Sequence, residues 1–189
     1  MRVRMVKKVL ALGDFHIPER AYWIPEELEK EVTRESYDIV LCTGDLTTGE
    51  VLSWLQRLAS EVYVVRGNMD YLKLPLQLVV NVEGLRVGLY HGAGVHPRGD
   101  PVKLAVRAKQ INVEVLVTGH THYPYTTFVK EYGVVIVNPG SATGVWGGDE
   151  RATLTPSFAI MCIRGRELLI ELKELRNSHF EVEKYKFQL

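Results

Sequence analysis

The 189-residue chain is short of several things, and each shortage narrows what it does. It has two cysteines, Cys42 and Cys162, far apart and each inside an apolar run. That excludes a disulfide framework, and no cysteine pair has zinc-site or redox spacing. Both are expected as reduced, buried core residues. Net charge is absent, because 23 Lys and Arg balance 23 Asp and Glu. No global field then draws the chain to nucleic acid, a membrane or an acidic substrate. Nucleic acid is accordingly not an expected partner. No apolar run approaches the length of a membrane span, so no membrane partner is expected either. The run Val9 to Gly13 behind the basic residues 1–8 is too short for a secretion-signal core and passes straight into Asp14-Phe15-His16. The cytoplasm is the expected location. Amides are scarce as well, with four Gln and five Asn against many Glu, Lys and Arg; heat-adapted proteins show such a bias.

What is present is an ordinary globular balance, 46% hydrophobic and 24% charged, in a length that fits one domain over residues 1–189. The first half alternates short apolar runs with helical stretches. Lys8–Leu12, Asp38–Cys42 and Val62–Val65 read as buried strands. Pro25–Val32 has proline and acids at its start, and Glu50–Ala59 carries Val51, Leu52, Leu55 and Leu58 at helical spacing; both read as helices. Strand, helix, strand, helix, strand implies a parallel sheet with right-handed crossovers. Ligands of such sheets gather beyond the carboxyl ends of the strands.

The second half predicts strands at Leu85–Tyr90, Glu114–Val117, Tyr125–Val129, Val134–Val137, Ser157–Ile163, Glu167–Leu175 and Phe180–Phe187, with a helix over Pro101–Gln110. After Val117 these strands read as consecutive hairpins of an antiparallel sheet. Two facing sheets with helices outside would bury the whole. On the strand 167–175, Leu168, Ile170 and Leu172 share one face and Leu169, Glu171 and Lys173 the other. Leu169 either belongs to a partner surface or, by the preferred reading, packs under a loop or within the second sheet.

Five strand ends carry side chains that bind metals: Asp14-Phe15-His16, Gly44-Asp45, Gly67-Asn68, His91-Gly92 and Gly119-His120-Thr121-His122. Residues two apart in extended chain point the same way, so Asp14 with His16, and His120 with His122, each present two ligands to one locus. Carboxylate, amide and imidazole together suit borderline divalent metals such as manganese, zinc, iron or nickel. Any one of these pieces alone is an ordinary turn former. All five, each ending an apolar strand, are specific. They use four of the six histidines. His96 is left bordering the site and His179 as a solvated turn residue.

In that order the motifs resemble the calcineurin-like metallophosphoesterase family. The resemblance implies a four-layer α/β/β/α sandwich of two mixed sheets flanked by helices, and a centre of two divalent metals, manganese foremost. It implies Asp14, His16 and His122 on the first metal, Asp45 bridging, and Asn68, His91 and His120 on the second. Asp45, Asn68 and His91 are the residues it places nearest the chemistry. A hydroxide held between the metals would be the nucleophile of a phosphodiesterase or phosphomonoesterase.

Within the family the chain looks most like the small phosphoesterase-fold subunit of retromer, a cargo-sorting coat. Leu12–Pro18, Val40–Leu46, Val64–Asn68, Asn138–Gly144, Thr155–Phe158 and Glu183–Tyr185 carry that likeness. The subunit, however, has Asn where this chain has Asp45, and Asp where it has Asn68. The enzyme pattern is therefore intact here, which favours hydrolysis of a small phosphoester. The alternative is a retromer-subunit-like scaffold with a vestigial or structural metal site and a protein partner. A homo-oligomer is left open. One departure from the enzyme pattern stands out. Many of the family's phosphatases place His directly after the metal-binding Asn, where it protonates the leaving group. Here that residue is Met69, with Asp70 and His96 as substitutes that nothing in the sequence positions.

Overall fold

The computed structural model describes residues 5–189. Its first strand shows how the sequence divides the interior. Along β1 (Lys7–Leu12) alternate side chains face opposite ways. Val9 and Ala11 enter a core between two sheets, while Leu10 and Leu12 enter a second core beneath helices. β2 (Ile39–Cys42) divides in the same way, with Ile39 and Leu41 on one side and Val40 and Cys42 on the other. A stretch of strand buried on both faces has to be apolar, as residues 9–12 and Ile39–Cys42 are.

Helices α1 (Glu26–Thr33) and α2 (Gly49–Leu55) cover the outer face of that sheet. Leu28 and Val32 of α1, one turn apart, and Val51, Trp54 and Leu55 of α2 fill the outer core. Each fully buried aliphatic side chain there contributes roughly 1.5–3 kcal/mol. The sheet runs β11-β10-β9-β1-β2-β3. β1, β2 and β3 (Glu61–Val64) are parallel; β9 (Ser157–Arg164), β10 (Glu167–Arg176) and β11 (His179–Gln188) are antiparallel.

The second sheet runs β4-β5-β6-β8-β7. It consists of β4 (Gln77–Val82), β5 (Leu85–Tyr90), β6 (Val115–Val117), β7 (Tyr125–Val129) and β8 (Val134–Asn138). Helix α3 (Pro101–Gln110) covers its outer face through Leu104, Ala105 and Ala108. Asp100 caps α3 by accepting the Lys103 amide at 3.0 Å, and Pro101 sits at its first turn. The layers are therefore α1 and α2, sheet, sheet, α3, the expected α/β/β/α sandwich of two mixed sheets. No helix of the described residues is long and apolar enough to cross a membrane.

Several expectations need correction. The strands after Val117 do not form one antiparallel run: β6 pairs in parallel with both β5 and β8. The last three strands instead widen the first sheet beside β1. Antiparallel hairpins read alike in sequence whichever sheet their edge joins, so the pattern could not assign them. β4 was not expected, although Leu78, Val80 and Val82 alternate ahead of the Glu83-Gly84 turn. Helix α2 stops at Leu55, because Arg57 and Leu58 donate to carbonyls three residues back and tighten the chain into a turn. Leu168, Ile170 and Leu172 face the inter-sheet core as expected. Leu169 does not pack under a loop; it is 42% exposed. Cys42 is buried but Cys162 only half so.

Candidate metal centre

Every strand that ends in a candidate ligand delivers it to the same edge of the sandwich. β1, β2 and β3 run parallel, so Asp14, Asp45 and Asn68 follow their carboxyl ends side by side. The loops are tied to one another by backbone bonds: Asp14 N–H to Gly44 carbonyl and His16 N–H to Asp45 carbonyl, each 2.9 Å. β5 and β6 are likewise parallel, and Gly119 N–H donates to the His91 carbonyl at 2.9 Å. The His120 amide then donates to Asp14 Oδ2 at 3.0 Å, which joins the two sheets across the site. A side chain at Gly119 would set its Cβ 2.5 Å from that carboxylate oxygen, so only glycine permits the approach.

Asp14, His16, Asp45, His91, His120 and His122 are all buried; Asn68 alone is exposed. Asp14, His16 and His122 bring ligand atoms within 4.8 Å of one another, and Asp14, Asp45 and His91 do the same. His16 and His91 approach Asp45 Oδ2 from two sides at 3.4 and 3.3 Å. His91 Nε2 also lies 3.0 Å from Asn68 Oδ1. Asp14 thus belongs to both groups, and Asp45 faces one histidine of each. His120 packs its ring against that of His91, with centroids 5.1 Å apart.

The donor set fits cations. His91 Nδ1 faces the Thr43 carbonyl at 2.8 Å and His122 Nδ1 the Val145 carbonyl at 2.6 Å. Each Nδ1 therefore carries its hydrogen outward, and each Nε2 faces inward, where it takes either a proton or a cation. His122 Nε2 meets His16 Nε2 at 3.1 Å and Asp14 Oδ1 at 3.4 Å. Asp14 Oδ1 is buried with no hydrogen-bond donor. Lone pairs aimed at each other and at carboxylate oxygens in a buried space need a positive charge among them.

The electrostatics agree. Burial works against ionised Asp14, yet the positive charge of nearby His122, with the charges of His91 and His16, holds its carboxyl down at about 2. Burial likewise opposes a proton on His91, but the hydrogen bond to Asp45 and the charges of Asp14 and Asp45 push it up to about 9. His16 and His120 are both lowered to about 4, chiefly by burial. The centre holds two carboxylates ready ionised and two imidazoles ready neutral.

The backbone is unusual at the same places. Asp14, His16, Asp45, His120 and His122 have φ between 50° and 71°. This left-handed region is uncommon for any residue but glycine, with Asp, Asn and His the best tolerated of the rest. Such residues persist where the surroundings hold them, at a cost of order 1–3 kcal/mol each.

Those surroundings include Asp70, which the sequence offers only as a substitute acid, and residues to which it gives no role at the site. Asp70 Oδ2 accepts the amides of Asp45 and Gly67, both at 2.8 Å, and its Oδ1 those of Leu46 and Thr47 at 2.7 and 2.9 Å. Both oxygens are engaged by backbone, so Asp70 does not serve as a spare acid. Buried Asn138 donates to the Gly119 carbonyl and to Thr121 Oγ1, each at 3.0 Å. Ser141 and Thr143 donate to the carbonyls of Asp14 and Phe15 at 2.7 and 2.8 Å. A spacing signal existed for Asp70, two residues after Asn68, and none for the others. The segment Gly144–Gly148 lies against the site, where a Cβ on Gly147 would fall 2.4 Å from His122 Cγ. His96 is exposed on the loop before α3 and its carbonyl receives Lys103 Nζ; His179 is exposed at the start of β11.

Comparison with known proteins gives a consistent picture. A family model described as a calcineurin-like phosphoesterase superfamily domain matches residues 8–165. A probable metallophosphoesterase of Methanocaldococcus jannaschii is 37% identical over 132 residues, which is 70% of this chain and 66%, just under two thirds, of that one. Among solved structures, a single mutant of Vps29 from Entamoeba histolytica has a TM-score of 0.89 at 36% identity, over 95% of this chain and 99% of that chain. Wild-type Vps29 of the same organism complexed with zinc has a TM-score of 0.86 at 36% identity, over 95% and 98%. The likeness to the retromer subunit is thus present in both sequence and fold.

Proposed function

The chain belongs to the calcineurin-like phosphoesterase superfamily, and from that membership we propose that it is a phosphoesterase hydrolysing small phosphoesters with two divalent metals, manganese foremost. The observation that carries this reading is the position of Asp45. Its Oδ2 lies between His16 and His91, and its Oδ1 accepts the Met69 amide at 2.7 Å. It is a buried carboxylate that faces one histidine of each ligand group. Asp14, His16 and His122 would hold one cation; Asn68, His91 and His120 would hold the other.

Divalent cations bound there would activate a water and offset charge on the phosphoryl group. The chain's own residues do the rest. His91 and His122 keep their Nε2 atoms aimed inward through the Thr43 and Val145 carbonyls. The Met69 amide leaves Asp45 one free oxygen to share. Asn68, exposed beside these buried groups, marks the side from which a phosphoester enters. No proton donor stands at Met69, which favours substrates whose leaving group departs without one: aryl monoesters and diesters ahead of alkyl monoesters.

The second reading is a retromer-subunit-like scaffold in the cytoplasm whose metal site is vestigial or structural. It is supported by the Vps29 likeness over nearly the whole chain and by the exposed Leu169 on β10. Asp45 and Asn68 favour the enzyme. The test is Asp45→Asn beside the wild-type protein, with metal content and turnover of phosphomonoesters and diesters measured in added manganese. We expect the wild type to bind metal and turn over, and the variant to lose both. Near-normal turnover by the variant refutes the assignment; no metal and no turnover in the wild type leaves the scaffold.

A further inference from the structure

The surface around the ligands is not uniform. The His122 side is roofed by Val145 and Gly147. On the Asn68 side a cavity of about 280 Å³ opens directly against Asn68 and His91, and Arg66, Leu76, Ala93 and Arg107 form most of its remaining wall. Tyr90 also lines it, its ring 5.2 Å from the Arg107 guanidinium.

Neither arginine of this cavity has an anionic partner among the described residues. Half-buried Arg107 meets Gln110 Oε1 at 3.2 Å, Gln77 Oε1 and the face of Tyr90, all neutral groups. Its buried Nε has no acceptor. Among the described residues neither Arg107 nor Arg66 forms an ion pair with a carboxylate, a lack they share with Arg20, Arg57, Arg86 and Arg98, while Arg34, Arg151, Arg164, Arg166 and Arg176 each form one. A half-buried cation without an anion carries an uncompensated desolvation cost. The walls between the arginines and the ligands are largely apolar: Leu76, Ala93 and the Tyr90 ring.

We propose that this cavity is the subsite for the organic part of the substrate, and that Arg66 and Arg107 bind a second phosphate on it. The substrate class is then an organic bisphosphate, with one phosphate at the ligand cluster and the other on the arginines. Two guanidinium forks match the charge and geometry of a phosphate dianion. Inorganic diphosphate is disfavoured, since the apolar walls would face its oxygens. A polymer is disfavoured because the next cation beyond Arg107, Lys103, has its Nζ engaged by the His96 carbonyl. The inference rests on the phosphoesterase reading.

The test is calorimetric binding of alkane bisphosphonates and the matching alkyl monophosphonates to manganese-loaded protein, across a series of chain lengths. At the best length the bisphosphonate should bind roughly tenfold or more tightly than its monophosphonate. That advantage should vanish in Arg107→Gln and in Arg66→Ala, with manganese content measured alongside. Equal affinities at every length overturn the proposal. So does an advantage that survives in both variants, which would mark simple chelation of the metals. Should Arg107→Gln fail to fold, the exposed Arg66→Ala gives the same readout. Turnover of p-nitrophenyl phosphate separates the two levels: turnover without the bisphosphonate preference overturns the subsite alone, and preference without any turnover overturns the enzymatic reading alone.

Discussion

The Asp70 carboxylate accepts the backbone N–H of Asp45 at 2.8 Å, so the acid that follows one candidate ligand fixes the loop bearing another. Its four amide partners span residues 45–47 and 67. Asp70→Asn would turn an NH2 toward amides that need an acceptor. We expect a stability loss of about 3 kcal/mol or more and weaker metal binding, read by urea denaturation and metal titration. A wild-type midpoint with wild-type affinity would show that the loops hold themselves.

Metal uptake should depend on pH through His91. A proton and a cation compete for its Nε2, and the carboxylates lift its pKa to about 9 against the effect of burial. Affinity should therefore rise with pH from neutrality to about 9, by at most about tenfold per unit, and flatten above that. Calorimetry in two buffers of different ionisation heat measures the proton released. Binding without proton release at neutral pH would contradict the expectation.

Met69→His would restore a proton donor beside the site. The Met69 amide is already held on Asp45 Oδ1, so the substitution changes the side chain and leaves the anchor. The wild type should favour aryl over alkyl phosphomonoesters, and the variant should narrow that ratio by roughly tenfold or more. Paired kcat/KM values decide it; equal rates on both classes in the wild type would remove the premise.

Gly147→Ala should damage the centre without unfolding the protein. Its new Cβ would fall 2.4 Å from His122 Cγ, on a half-buried loop outside the three cores. The ring must tilt or the loop must lift. Metal affinity should drop while the melting temperature of metal-free protein moves by only a few degrees. Unchanged affinity would show that the loop is free to move aside.

Much of this was legible in the chain, for a local reason. Five apolar runs end in polar residues at their carboxyl ends, so the candidate ligand of β1, β2, β3, β5 or β6 announces itself where its strand stops. The braces were not legible. Asn138, Ser141 and Thr143 act on backbone carbonyls at positions 14, 15 and 119, and no spacing in sequence encodes a contact made by folding. Sheet membership was hidden for the same reason: β9 reaches β1 across more than a hundred residues. In sequence Arg107 is one of three cations along α3, and the neutral Gln77 and Tyr90 come against it only through folding.

The left-handed backbone at Asp14, His16, Asp45, His120 and His122 has a bearing on descent as well as on chemistry. Asp, Asn, His and Gly are the residues this conformation tolerates with least strain. A descendant that gave up catalysis would still be steered to the same few residue types by the shape of its main chain. Ligand-like side chains would then outlast the reaction they served. In such a lineage the informative positions are Asn68 and His91, whose backbone imposes no comparable restriction, and substitutions there would be the first sign that selection for the metals had ceased.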